Sequence, residues 1–114
     1  MLSWSSQQSD EVVDLGAVAA GHGDVGIPFG GELLRFATAA ACLAGDVTEM
    51  DEARDALVAI AGEAVMIDAA AVAANFHMMT RLADGTGARY PASRLQDAAS
   101  TIAIMGTADM ASRR

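Results

Sequence analysis

The side chains able to do chemistry gather in the second half of the chain. His77, Arg81 and Asp84 are spaced by four and then three residues, so on a helix they line one face. A histidine beside a guanidinium and a carboxylate could transfer a proton or hold an anion. The same spacing also serves as a surface or subunit-contact stripe, in which Arg81 pairs with Asp84. A carboxylate in the last turn of a helix opposes the dipole, which gives such pairing a reason. Ion pairs of this kind are more often structural than catalytic, and the structural reading is preferred. Asp68 and Asn75 lie seven residues apart, on nearly the same side of that helix and amid alanines. Polar groups in such a setting need partners, supplied by a neighbouring helix end, a pocket or a second subunit.

Cys42 is the only cysteine and stands between Ala41 and Leu43 near a helix end. It reads as a buried small hydrophobe, and a helix C-terminus is the wrong end to stabilise a thiolate. A single cysteine excludes an intrachain disulfide and the paired-cysteine redox or zinc motifs, and it suits a reducing cytoplasm. His22, in Gly21-His22-Gly23, has no cysteine or second histidine near it, so no metal site is expected. Gly21-x-Gly23-x-x-Gly26 has the glycine spacing of a dinucleotide loop. That loop must follow a buried strand and open a helix, whereas Pro28 and Gly30-Gly31 prolong this one. No cofactor is expected.

The elements that position these residues follow from composition and periodicity. The chain has 114 residues, enough for one domain that can bury a core without disulfides. It is 53% hydrophobic but only 4% aromatic, and its alanine content with few β-branched runs favours an all-α fold. Fifteen acidic residues against seven basic give a net charge of −8, which argues against nucleic acid and against an anionic membrane surface. The first residues show neither the basic start nor the apolar run of a signal peptide. The apolar stretch at 64–74 is interrupted by Asp68 and falls short of the ~20 residues of a membrane span. A cytoplasmic, water-soluble protein is the expectation.

Residues 1–10 read as a disordered lead-in, 11–106 as one helical domain and 107–114 as a frayed tail. Within the domain, 11–20 could form a short helix and 21–31 a glycine-rich loop. A helix over 31–43 carries a stripe of Leu33, Leu34, Ala37 and Ala41. Thr48 with Asp51 looks like a capping box opening a second helix to Ala61, with Met50, Ala53, Leu57 and Ile60 inward. The long helix over 63–84 has Val65, Ala69, Val72, Phe76, Met79 and Ala83 in alternating steps of four and three. Ile67, Ala71, Met78 and Leu82 add apolar positions off that seam. Gly85 would close it in the left-handed region, and Pro91 would open a last helix over 91–105, with Leu95, Ala98 or Ala99, Ile102 and Met105 inward. This gives a bundle of four to five helices around a central long one, and the methionines read as core filler.

From Phe29 to about Pro91 the chain resembles the later part of the carboxymuconolactone decarboxylase / alkylhydroperoxidase D-like family. The segments carrying the resemblance are GELLRFATAA at 31–40, DVTEMDEARDALVAIAGEAVMIDAAAVAANF at 46–76 and NFHMMTRLADGTG at 75–87. A helix closing on Asn-Phe, then Arg-x-Ala-Asp and a glycine, corresponds here to Asn75, Phe76, Arg81, Ala83, Asp84 and Gly87. The resemblance implies a helical protomer that assembles into oligomers. The resemblance implies thiol enzymes among the catalytic members, built on a Cys-x-x-Cys motif and a following histidine ahead of the matched segment, whereas decarboxylase-type chemistry does not require the cysteine pair. This chain lacks that motif, so no catalytic residue is carried over.

Two functions follow as expectations. The preferred one is a non-catalytic or degenerate family-like protein acting through self-association or partner binding. A helix apolar on several sides cannot be covered by three short neighbours, so a homo-oligomer is expected with Val65, Val72, Phe76 and Met79 among the interface residues. The alternative is a divergent decarboxylase-like or peroxidase-like enzyme using His77, Arg81 or Cys42. A further reading is an incomplete reading frame whose catalytic half lies upstream. The sequence names no small-molecule ligand.

Overall fold

The computed structural model describes residues 13–21, 23–41, 45–89 and 91–108. The expected lead-in at 1–10 and the tail beyond residue 108 lie outside them, as do His22 and Cys42. Every regular element among the described residues is helical: α1 (Leu15–Ala20), α2 (Gly30–Ala41), α3 (Val47–Ala61), α4 (Glu63–Thr86), a 3-10 turn (Ala92–Arg94) and α5 (Ala99–Ile104). The fold is the all-α bundle read from the sequence, with the long helix in its expected place.

The ends of the helices show local chemistry that periodicity does not resolve. Asp14 opens α1, its carboxylate accepting from the N–H groups of Gly16 and Ala17 at 2.8 and 3.1 Å. Asp46, not Thr48, caps α3: its side chain accepts from the Thr48 N–H at 2.9 Å, which leaves Thr48 inside the first turn. The long helix runs through Gly85 and closes at Gly87, whose φ of 68° is the left-handed cap. Thr86 helps to carry it that far, donating from its hydroxyl to the Leu82 carbonyl at 2.7 Å. The helix expected over 91–105 is broken. Pro91 precedes only the 3-10 turn, and α5 begins at Ala99 with no side-chain cap. Ser93, Asp97, Ser100 and Thr101 in this segment are residue types of low helix propensity.

The core is small. The buried apolar side chains among the described residues are Val25, Phe36, Ala53 and Leu57. Ala53 and Leu57 lie one turn apart on α3, inward as expected, but Met50 is half-buried and Ile60 exposed. On α2 the buried face is turned towards Phe36; Leu33 and Leu34 are half-buried while Ala37 and Ala41 face water. The large aromatic ring, rather than the alanines, takes the interior position because it removes the most apolar area. Gly30 opens α2 directly against Val25, where a Cβ would run into the valine Cγ2.

Helices α2, α3 and α4 pack on one another, α2 with α3 most extensively, and α1 packs against α5. Arg35 of α2 fastens the first pair from outside. Its Nε donates to Glu49 Oε1 at 2.7 Å, and its Nη2 donates to Glu49 Oε2 at 2.9 Å and to Glu52 Oε2 at 3.1 Å. Only one residue separates α3 from α4. That residue is Gly62, at φ 88° and ψ 163°, a backbone region essentially closed to side chains bearing a Cβ.

Candidate functional site

The largest unexplained feature is the surface of α4. It is the longest helix, at 24 residues, and none of its residues is buried. Seven alanines give it strong intrinsic helicity, so it forms without deep packing. Val65, Met66, Ala69 and Ala73 face the bundle and are half-buried. The remaining circumference is mainly apolar and wet. Ile67, Val72, Phe76, Met78, Met79 and Leu82 are each 47–63% exposed.

These residues form two strips. At about 100° per residue, Val72, Phe76 and Met79 lie on one flank of the bundle-facing side, with Val65 at its inner edge. Ile67, Ala71, Met78 and Leu82 point away from the bundle. Asp68 and Asn75 run between the strips, both exposed, and Asn75 makes a 3.6 Å contact from Nδ2 to the Met79 sulfur. Together the two strips leave six large apolar side chains of α4 about half exposed or more.

The expected interface residues Val72, Phe76 and Met79 are thus exposed and Val65 half-buried. His77 is half-buried, while Arg81 and Asp84 are exposed on the following turns. Among the described residues no ion pair joins Arg81 to Asp84. Nor does any group of three or more His, Cys, Asp or Glu side chains there have the arrangement of a metal site. Cys42 lies outside the described residues.

An open cleft of about 350 Å³ lies instead between the α2 and α3 ends, lined by Gly21, Arg35, Thr38, Ala39, Gly45, Asp46 and Glu49. Its polar groups are already engaged. Arg35 holds Glu49 and Glu52, the Thr38 hydroxyl donates to the Leu34 carbonyl at 2.8 Å, and Asp46 caps α3. The hydrogen bonds from Arg35 hold the Glu49 carboxyl below the usual carboxylate range. His77 and Arg81 do not line this cleft, so it does not assemble the proton-transfer set considered from the sequence.

No family model, characterised protein or solved structure matches the chain. The functional reading therefore rests on the residues themselves. Two features escaped the sequence. The Arg35 bridge spans fourteen residues to Glu49 and needs the tertiary fold, although Glu49 and Glu52 one turn apart already mark a common acceptor face. The outward strip was visible as apolar positions, but its orientation depends on which side of α4 the core takes.

Proposed function

We propose that the chain is a helical self-association module whose working surface is the exposed apolar side of α4. The observation carrying this reading is that the longest helix buries none of its residues while six large apolar side chains on it stay about half exposed or more. Leaving such surface in water is unfavourable by about 25 cal/mol per Å², and a second copy presents a matching surface at no extra genetic cost. The resemblance to the carboxymuconolactone decarboxylase / alkylhydroperoxidase D-like family supports the same reading, as a non-catalytic or degenerate relative that keeps the assembling helix. The single cysteine and the acidic charge fit such a module in a reducing cytoplasm, away from nucleic acid.

Light scattering coupled to size-exclusion chromatography tests the proposal directly. Oligomers at micromolar concentration are expected, and a clean monomer would remove it. Peroxide-dependent turnover that disappears in Cys42→Ser would instead favour the enzyme.

A further inference from the structure

The outward strip of α4 has a pattern that specifies how two copies meet. Ala64, Ile67, Ala71, Ala74 and Met78 follow one another at steps of three, four, three and four, the seam of a two-helix contact. All five are exposed. The order of sizes is nearly symmetrical: small residues at the centre, Ile67 and Met78 equally far on either side. A sequence read backwards against itself then pairs large with large and small with small.

The charges obey the same symmetry. Glu63 and Arg81 project at about the same angle around α4, on one flank of the strip, and Asp68 and Asn75 share the other flank. In an antiparallel pair related by a two-fold axis, residues on the same flank of the two copies face each other. With the axis passing between residues 72 and 73, Ile67 meets the partner's Met78 and Ala71 meets the partner's Ala74. In that register Glu63 lies opposite the partner's Arg81, and Asp68 stands within side-chain reach of the partner's Asn75. A parallel two-fold pair would instead set opposite flanks against each other and bring Glu63 towards the partner's Asp68, carboxylate against carboxylate. Within one chain, neither Glu63 nor Arg81 has an ion pair among the described residues.

We infer that the outward strip of α4 binds a second copy of this chain as an antiparallel helix pair, with reciprocal Glu63–Arg81 contacts setting the direction. This rests on the self-association reading and adds its face, register and polarity. The length is adequate. A helix of 24 residues gives a strip about 36 Å long and 10–12 Å wide. In this register residues 63–82 of the two copies overlap over about 30 Å, so the two faces together bury roughly 600–720 Å², the size of a weak, concentration-dependent association. The alanines at the centre allow the close approach that large residues there would prevent.

The experiment is a charge swap read by sedimentation equilibrium on the full chain. Glu63→Arg alone and Arg81→Glu alone each place like charges at both reciprocal contacts, and each is expected to weaken self-association about tenfold. Mixing the two variants puts opposite charges together at both contacts and should restore wild-type affinity in a heterodimer. The double variant Glu63→Arg/Arg81→Glu keeps the net charge of −8 and should restore it in a homodimer. If the wild type assembles but neither the mixture nor the double variant recovers, or if the single variants assemble as wild type, the antiparallel register is wrong while self-association stands. If the wild type is monomeric, the self-association reading fails and this inference falls with it.

Discussion

Leu57→Ala and Leu82→Ala remove the same atoms from two helices and should have opposite kinds of consequence. Leu57 is fully buried between α3 and its neighbours, whereas Leu82 is 63% exposed on α4. Truncating Leu57 forfeits the full transfer free energy and leaves a cavity, a loss of about 3–5 kcal/mol. For a domain of this size even 3 kcal/mol lowers the midpoint of thermal unfolding by roughly 12–24 °C. The loss should be the same at every protein concentration. Leu57→Met, which conserves volume, should cost less than about 1.5 kcal/mol and provides a folded comparison if the alanine variant is too unstable to handle.

Leu82 has only about a third of its surface covered within the chain, so its truncation should cost the protomer less than about 1 kcal/mol. The remaining two thirds is available to a partner and is lost twice in a symmetric pair. That amounts to about 2 kcal/mol of association free energy, or a roughly thirty-fold weaker dimer. The assay is denaturant and thermal unfolding over a hundred-fold range of protein concentration, with light scattering on the same samples. Leu82→Ala should flatten the concentration dependence and leave the dilute-limit stability almost intact. An equal, concentration-independent loss in both variants would refute the reasoning, because it would make the outer side of α4 part of the protomer core.

Two further perturbations test the fold itself. Gly62→Ala should destabilise by about 1–3 kcal/mol through its φ of 88° alone, because a Cβ there meets nothing within 4 Å. Gly85→Ala is the counter-case: Gly85 is helical and equally unobstructed, so thermal unfolding should show a gain of about 0.4–1 kcal/mol. Arg35→Gln should change the acid limb of a pH–stability curve. The Glu49 carboxyl is held low in the fold by its hydrogen bonds from Arg35, so its contribution is complete above the unfolded-chain value near pH 4.3 and is lost as pH falls through the depressed value. Chemical denaturation between neutral and acid pH should therefore show a steeper loss in the wild type than in Arg35→Gln.

The sequence was informative where a signal is repeated along a helix and uninformative where it depends on one contact. The a/d steps from Val65 to Ala83 and the alanine content were enough to predict the long helix, and Ala53 and Leu57 were correctly read as inward. Single-residue decisions went otherwise. Asp46 and Thr48 are both good caps, and only the backbone path into α3 selects the aspartate. Gly85 and Gly87 are both able to end α4, and the Thr86 back-bond to Leu82 favours the later one. Phe36 interrupts the Leu33–Leu34–Ala37 stripe, and its burial depends on the space that α3 leaves opposite it. For the candidate site, Val72, Phe76 and Met79 were legible as apolar positions on α4. Which apolar positions stay exposed was not, because a helix with apolar residues around most of its circumference has no period that names its inner side.

The exposed apolar side of α4 is not a by-product of a hydrophobic composition. Charge is abundant in this chain, and the neighbouring helix uses it freely: α3 carries Glu49, Asp51, Glu52, Arg54 and Asp55 on its first three turns. Those residues solvate the outside of α3 and leave Ala53 and Leu57 for the core. Along α4, Glu63, Asp68, Arg81 and Asp84 stand beside the outward strip or beyond its end, and none replaces Ile67, Ala71, Ala74 or Met78 on the seam. A helix needing only solubility would gain from charges at those positions. Their absence, where the buried apolar side chains among the described residues are only Val25, Phe36, Ala53 and Leu57, is what the proposed association surface would require. Association would then stabilise the helix as well as join the copies, and protein concentration becomes a variable of folding as much as of assembly.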